Sequence, residues 1–147
     1  METQTIEKNI IPKKIKLDFK ISKYATGRRK RSIAKVWVKK GSGNIHVNGK
    51  LMNDYFKRPV HQIIVMRPLE ISNIATSYDV RASVKGGGLS GQAGAIIHGL
   101  SRALVLHDET LKTILKKEKL TTRDSRVVER KKYGHKKARR SFQFSKR

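Results

Sequence analysis

The residues of this chain that come nearest to a recognisable chemical site are glycines. Gly86-x-Gly88-x-x-Gly91 follows a strand-like segment and opens a helix-like one. Asp108 and Glu109 stand about twenty residues further on, as in a dinucleotide-binding fingerprint. There, glycines bring a pyrophosphate onto backbone N–H groups and the acid holds a ribose. That arrangement needs a second parallel strand ending at the acid, whereas here the acid opens a lysine-rich segment. A nucleotide P-loop is incomplete as well. Gln92 and Ala93 occupy the positions of the phosphate-binding Lys and the magnesium-binding Ser/Thr. Two readings of the glycines remain open: backbone N–H groups exposed to an RNA phosphate, and close packing of helix on sheet.

Other chemistries lack their residues. The chain has no cysteine, which excludes disulfides, thiolate metal sites and thiol nucleophiles. Its histidines (His46, His61, His98, His107, His135) show no metal-ligand spacing. His98 and His107 read as packing or phosphate-contacting side chains. No serine sits in a Gly-x-Ser-x-Gly elbow. Asp124 and Glu129 lie among Arg123, Arg126 and Arg130, where they pair with arginines and order the start of the tail rather than serve as an acid–base couple. The expectation is no catalytic residue, no metal, no cofactor and no enzyme.

Positive charge is what the chain has in excess: 35 Lys+Arg against 11 Asp+Glu, a formal net charge of +24. Soluble small domains carry about 2–8, so self-repulsion burdens the free protein until a polyanion relieves it. The last eighteen residues, Arg130 to Arg147, contain nine Lys and Arg, no carboxylate, and the aromatics Tyr133, Phe142 and Phe144. Such a segment buries too little apolar surface to offset its chain entropy, and it reads as a ligand for nucleic acid. Thr26-Gly27-Arg28-Arg29-Lys30-Arg31 is a second basic run, read as a phosphate-contacting loop. No apolar run approaches the ~18 residues of a membrane helix, and no membrane partner or homo-oligomer is expected. Residues 1–22 lack a secretory leader's apolar centre and read as a flexible Lys-rich extension interrupted by Pro12.

The elements that must carry these charges follow from periodicity. Residues 31–39 alternate, with Ala34, Val36 and Val38 on one side and Lys35, Trp37 and Lys39 on the other. A turn at Gly41–Asn44, alternation of Ile45 and Val47 with His46 and Asn48, and a tight turn at Asn48-Gly49 suggest a hairpin with a cationic outer face. Residues 51–74 read as short helices, one capped by Asn53 or Asp54, one opening at Pro59 and interrupted by Pro68. Tyr78–Lys85 is a strand with Val80, Ala82 and Val84 inward. Ala93, Ile96, Ile97, Leu100, Ala103 and Leu104 share a helix face, with His98, Ser101 and Arg102 elsewhere on the circumference. Asp108 is expected to cap a last helix that buries Leu111, Ile114 and Leu115. The sum is an α+β domain of two layers, its sheet covered on one face. The domains are then 1–22 (extension), 23–120 (globular domain) and 121–147 (extended basic tail).

Several segments together resemble small-subunit ribosomal protein nine of the bacterial type. They are Thr26-Gly27-Arg28-Arg29-Lys30, Arg67-Pro68-Leu69-Glu70, Gly86-Gly87-Gly88-Leu89-Ser90-Gly91-Gln92-Ala93-Gly94-Ala95, His98-Gly99, Arg102-Ala103-Leu104, Thr122–Arg126, Glu129–Lys132, Lys137–Arg139 and Gln143–Arg147. The resemblance spans roughly residues 23 to 147. It implies a two-layer α/β domain with a left-handed β-α-β crossover, like the second domain of small-subunit protein five. It also implies a place in the head of the small ribosomal subunit, cytoplasmic or in a mitochondrial or plastid ribosome, among neighbouring head proteins. Ser145, Lys146 and Arg147 would meet the peptidyl-site tRNA. Arg28, Arg29, Lys30, Arg31, Lys85, Gly86, Gly87, Gly88, Gln92, Arg102, Arg123, Arg126, Arg130, Lys131, Lys132, Lys136, Lys137, Arg139 and Arg140 would lie on ribosomal RNA. Ile97 replaces the Arg that many relatives place before His-Gly, and Ser141-Phe142 replaces a more basic, proline-containing stretch. A free-standing RNA chaperone or regulator is the alternative reading.

Overall fold

Two alternating segments set the centre of the sheet, because a strand with one apolar face is stable only when that face is covered. In the computed structural model, which describes residues 21–146, these are β2 (Ser32–Lys40) and β5 (Tyr78–Lys85). They pair antiparallel from Ile33↔Lys85 to Lys40↔Tyr78. Flanking them are β1 (Lys23–Arg29), β3 (Ile45–Val47) and β4 (Lys50–Leu51), in the order β1-β2-β5-β3-β4. β3 runs parallel to β5. The chain between them passes through α1 (Met52–Tyr55) and α2 (Pro59–Ile71), a β-α-β crossover. α3 (Leu89–His107) and α4 (Leu111–Lys117) complete the regular structure. The two-layer α+β expectation holds: Val36, Val38, Val80, Leu69, Ile96, Leu100 and Leu104 are fully buried between the sheet and its helices. Each such side chain contributes about 1.5–3 kcal/mol of burial.

Hairpin pairing departs from the sequence expectation. The hairpin partner of β2 is β1, turning at Lys30, whose φ is 50°. Residues 26–29, expected as loop, are therefore strand. Ala25 and Gly27 face the core, but the adjacent Arg28 and Arg29 mask the alternation. The Gly41–Asn44 turn exists and is held by Asp79, whose Oδ1 accepts the Ser42 and Asn44 N–H groups at 2.9 and 3.0 Å. Yet it leads β3 past β2, because β5 inserts between them. His46, expected outward, is buried with Ile45 and Val47, since β3 is an interior strand flanked by β4 and β5.

Helix boundaries moved for related reasons. α1 starts at Met52 after Leu51, so neither Asn53 nor Asp54 caps it. Pro59 opens α2 as expected, but Pro68 lies inside that helix without ending it, buried beside Leu69. One lost backbone bond is offset there by apolar burial. Asp108 does not cap α4, which has Thr110 at its N-cap. It ends α3 and accepts the Tyr78 hydroxyl at 2.6 Å. Of the expected inward residues of α4, Leu115 is buried and Leu111 partly so, whereas Ile114 is 45% exposed.

α3 crosses the sheet at close range. A Cβ on Gly27 would strike the Ala95 carbonyl and the Gly99 backbone, and one on Gly99 would come within 2.8 Å of Val36. That approach buries His98 and Ser101, which the periodicity had left outside. The Ser101 hydroxyl is satisfied by the Ile97 carbonyl at 2.8 Å.

Candidate nucleic-acid interface

Three places concentrate the cations. At the β1 edge, the Arg28 N–H donates to His98 Nδ1 at 3.2 Å, and Arg102 Nη1 donates to the Thr26 carbonyl at 2.9 Å. Arg28, Arg102 and Arg123 surround His98 in a cleft of about 480 Å³ that includes Thr26 and Thr121. Burial, then the Arg102 charge, pushes the His98 pKa below its ordinary value. The ring is neutral, its Nδ1 accepting from the Arg28 N–H, and it is also hydrogen-bonded to the Thr121 backbone. His98 thus joins β1, α3 and the start of the tail, and the three guanidinium groups supply the positive field.

The second place is the glycine loop. Gly86 and Gly87 have φ of 75° and 62°, a left-handed conformation that side-chain-bearing residues rarely adopt. The Gly86 carbonyl accepts from Ser32 Oγ at 3.0 Å and Gln92 Nε2 at 3.2 Å, while Gln92 Oε1 accepts from the Tyr55 hydroxyl at 2.7 Å. Gln92 therefore braces the loop from within. Gly88 is the N-cap of α3 and provides no side-chain cap. The first-turn N–H groups of that helix are left for an anion. Lys85 is exposed at the end of β5.

The third is the tail, which has no helix or strand from residue 121 to 146. Asp124 pairs with its expected neighbour Arg126, whereas Glu129 pairs with Arg139, ten positions on, rather than with Arg126 or Arg130. Asp124 holds Arg126 through Nε at 3.1 Å and Nη2 at 2.7 Å, and also pairs with Arg29 of β1. The Arg126 hydrogen bonds, then Arg29, hold the Asp124 carboxyl well below the usual carboxylate range. Glu129 takes Arg139 in a two-pronged bond at 3.0 and 2.6 Å, which lowers its pKa. With the Lys136 N–H on the Arg140 carbonyl at 2.8 Å, this closes residues 129–140 into a loop. Arg29, Arg126 and Arg139 are thus engaged by carboxylates. Lys30, Arg31, Arg130, Lys131, Lys132, Lys136, Lys137, Arg140, Ser145 and Lys146 are exposed. Arg147 and residues 1–20 lie outside the described residues.

Sequence reasoning missed one further surface. On the sheet face away from the helices, Tyr24, Trp37 and Arg81 align across three strands. The two rings lie 5.3 Å apart, and the Arg81 guanidinium sits 5.8 Å from the Trp37 ring. Alternation within each segment was visible, but the cross-strand register that forms the row was not.

Together the domain and its charges define a small α/β protein that presents arginines, lysines and backbone N–H groups to a polyanion. The chain belongs to the ribosomal protein S9/S16 family, whose family model matches residues 27–147. It is accordingly a structural, non-enzymatic constituent of the small ribosomal subunit that binds ribosomal RNA. Its location is the ribosome, cytoplasmic or organellar. Among the described residues no helix is long and apolar enough to cross a membrane.

Proposed function

We propose that within this family the chain is the protein nine of the small-subunit head, and that its tail reaches the peptidyl-site tRNA. Residues 23–120 act as a mount, residues 121–147 as the RNA-contacting arm, and residues 1–22 as a separate extension. The observation that carries this reading is the run of exposed cations from Arg130 to Lys146, in a segment without a carboxylate of its own. Two-pronged Arg contacts and mobile Lys charges suit irregular RNA backbones. Phosphate contacts give affinity and position without reading sequence. The cleft of Arg28, Arg102 and Arg123 and the glycine loop hold ribosomal RNA near the mount, while Ser145, Lys146 and Arg147 meet the tRNA backbone. Phe142 and Phe144, 60% and 85% exposed, are available to stack on bases, at about 1–3 kcal/mol each.

Deleting Ser145–Arg147 tests the tRNA contact. Small subunits carrying the truncated chain should assemble normally but bind peptidyl-site tRNA more weakly. Losing two phosphate contacts makes the log–log salt slope shallower by about 1.5. Unchanged tRNA affinity across the salt series in filter binding would refute the assignment.

A further inference from the structure

A groove of about 810 Å³ lies between the glycine loop, the start of α2 and tail residues 127–131. One of its linings is His61, a residue not expected at any site, 6% exposed and bonded through Nε2 to Ser90 Oγ at 3.0 Å. Its other nitrogen, Nδ1, is buried with no hydrogen-bond partner among the described residues. A buried N–H without an acceptor is rarer and costlier than an idle lone pair. The ring therefore carries its proton on Nε2 and donates it to Ser90. Ser90 is then an acceptor toward His61, and its own hydroxyl proton is left to be donated elsewhere.

What surrounds that hydroxyl is an anion cradle with an apolar wall. The N–H groups of Leu89, Ser90 and Gly91 precede the first backbone bond of α3, Gln92 N–H to the Gly88 carbonyl at 2.9 Å. Arg58, Lys30 and Arg130 line the same groove. Glu129 also lines it, with its carboxylate held by Arg139. The same groove is lined by Leu89, Val127 and Val128, exposed by 46%, 49% and 78%. A phosphate alone has no use for that wall, and a paired duplex cannot present a ring to it. The ligand with both halves is a nucleotide whose base has left its stack.

We propose that this groove receives one unpaired nucleotide of the bound RNA, its phosphate on the first turn of α3 and the Ser90 hydroxyl, its base against Leu89, Val127 and Val128. The inference rests on the RNA-binding role above and adds to it a particular site and a preference for a splayed base. It differs from a nucleotide-hydrolysing loop, since the lysine and magnesium ligand of such a loop are Gln92 and Ala93 here.

The test uses the full chain and three probes: a single-stranded RNA oligonucleotide bearing 2-aminopurine, a blunt RNA duplex of equal length, and free adenosine monophosphate. The wild type should change the 2-aminopurine emission on binding the single strand. The charge-neutral double variant Val127→Ser/Val128→Ser should reduce that change while leaving duplex affinity within about twofold. Ser90→Ala should weaken single-strand binding about fivefold. If emission responds identically in wild type and variants while both RNAs still bind, the nucleotide site is wrong and the RNA-binding role stands. If the wild type binds neither RNA, that role fails and this inference with it. Saturable monophosphate binding without a preference for single strands would also overturn it, in favour of a free mononucleotide.

Discussion

Single titratable groups report how the charged parts are anchored. Tyr78 is buried and donates to Asp108, so burial first, and then Asp108, pushes its pKa up from 10.0 to about 12. The folded state prefers the protonated phenol. The stability this contributes is complete below pH 10 and disappears as pH rises from there through about 12. Ultraviolet titration should show one of the four tyrosines ionising late, and Tyr78→Phe should remove that late step. The variant should also destabilise the fold by about 1 kcal/mol, with Asp108 still wetted by solvent. His98 has the opposite sign. Its pKa is lowered, so its contribution is complete above the ordinary value of 6.5 and is lost as pH falls below it. Proton NMR should find its midpoint under 6.5, with the β1–α3–Thr121 junction loosening in acid. Asp124, depressed further by Arg126 and Arg29, should keep the tail on β1 well into the acid range. Asp124→Asn should release it, read as faster amide exchange in residues 121–128.

Elements depend on how closely they approach. α3 lies on β1 because Gly27 and Gly99 remove the side chains that would separate the two backbones. Gly27→Ala should therefore cost about 1–3 kcal/mol or more in urea denaturation, since backbone atoms cannot yield as a flexible side chain can. The exposed Gly88, where an added Cβ meets nothing within 4 Å, should tolerate alanine with little loss of stability. Gly27 and Gly99 serve packing, whereas Gly88 leaves the head of α3 uncovered and is suited to a ligand. An RNA-binding defect in Gly88→Ala at unchanged stability is the expected signature.

At the scale of the whole molecule, a net charge of +24 makes salt the natural probe. Deleting residues 130–147 removes nine cations, and the log–log salt slope for ribosomal RNA should fall by about 0.7–0.9 for each phosphate they neutralise. The globular part should still fold and still bind RNA through the β1-edge cleft and glycine loop, more weakly and with less salt sensitivity. A truncated chain with undiminished slope would mean that the tail's charges meet solvent instead of phosphate.

The sequence alone determined the central strands, the long helix face and the basic tail, because each is a property of neighbours along the chain: a period of two in Tyr78–Lys85, near 3.6 in Ala93–Leu104, unrelieved charge after Arg130. Tertiary structure decided what depends on residues far apart. β5 separates β2 from β3, so the expected hairpin was replaced by one through Thr26–Arg29. His98 went inside because glycines seventy-two positions apart, 27 and 99, let two backbones meet. Asp124 selected Arg29 from another element, and His61 found Ser90 across the domain. Local periodicity carries no information about such long-range pairings, since they are chosen by shape and charge only after the chain has collapsed.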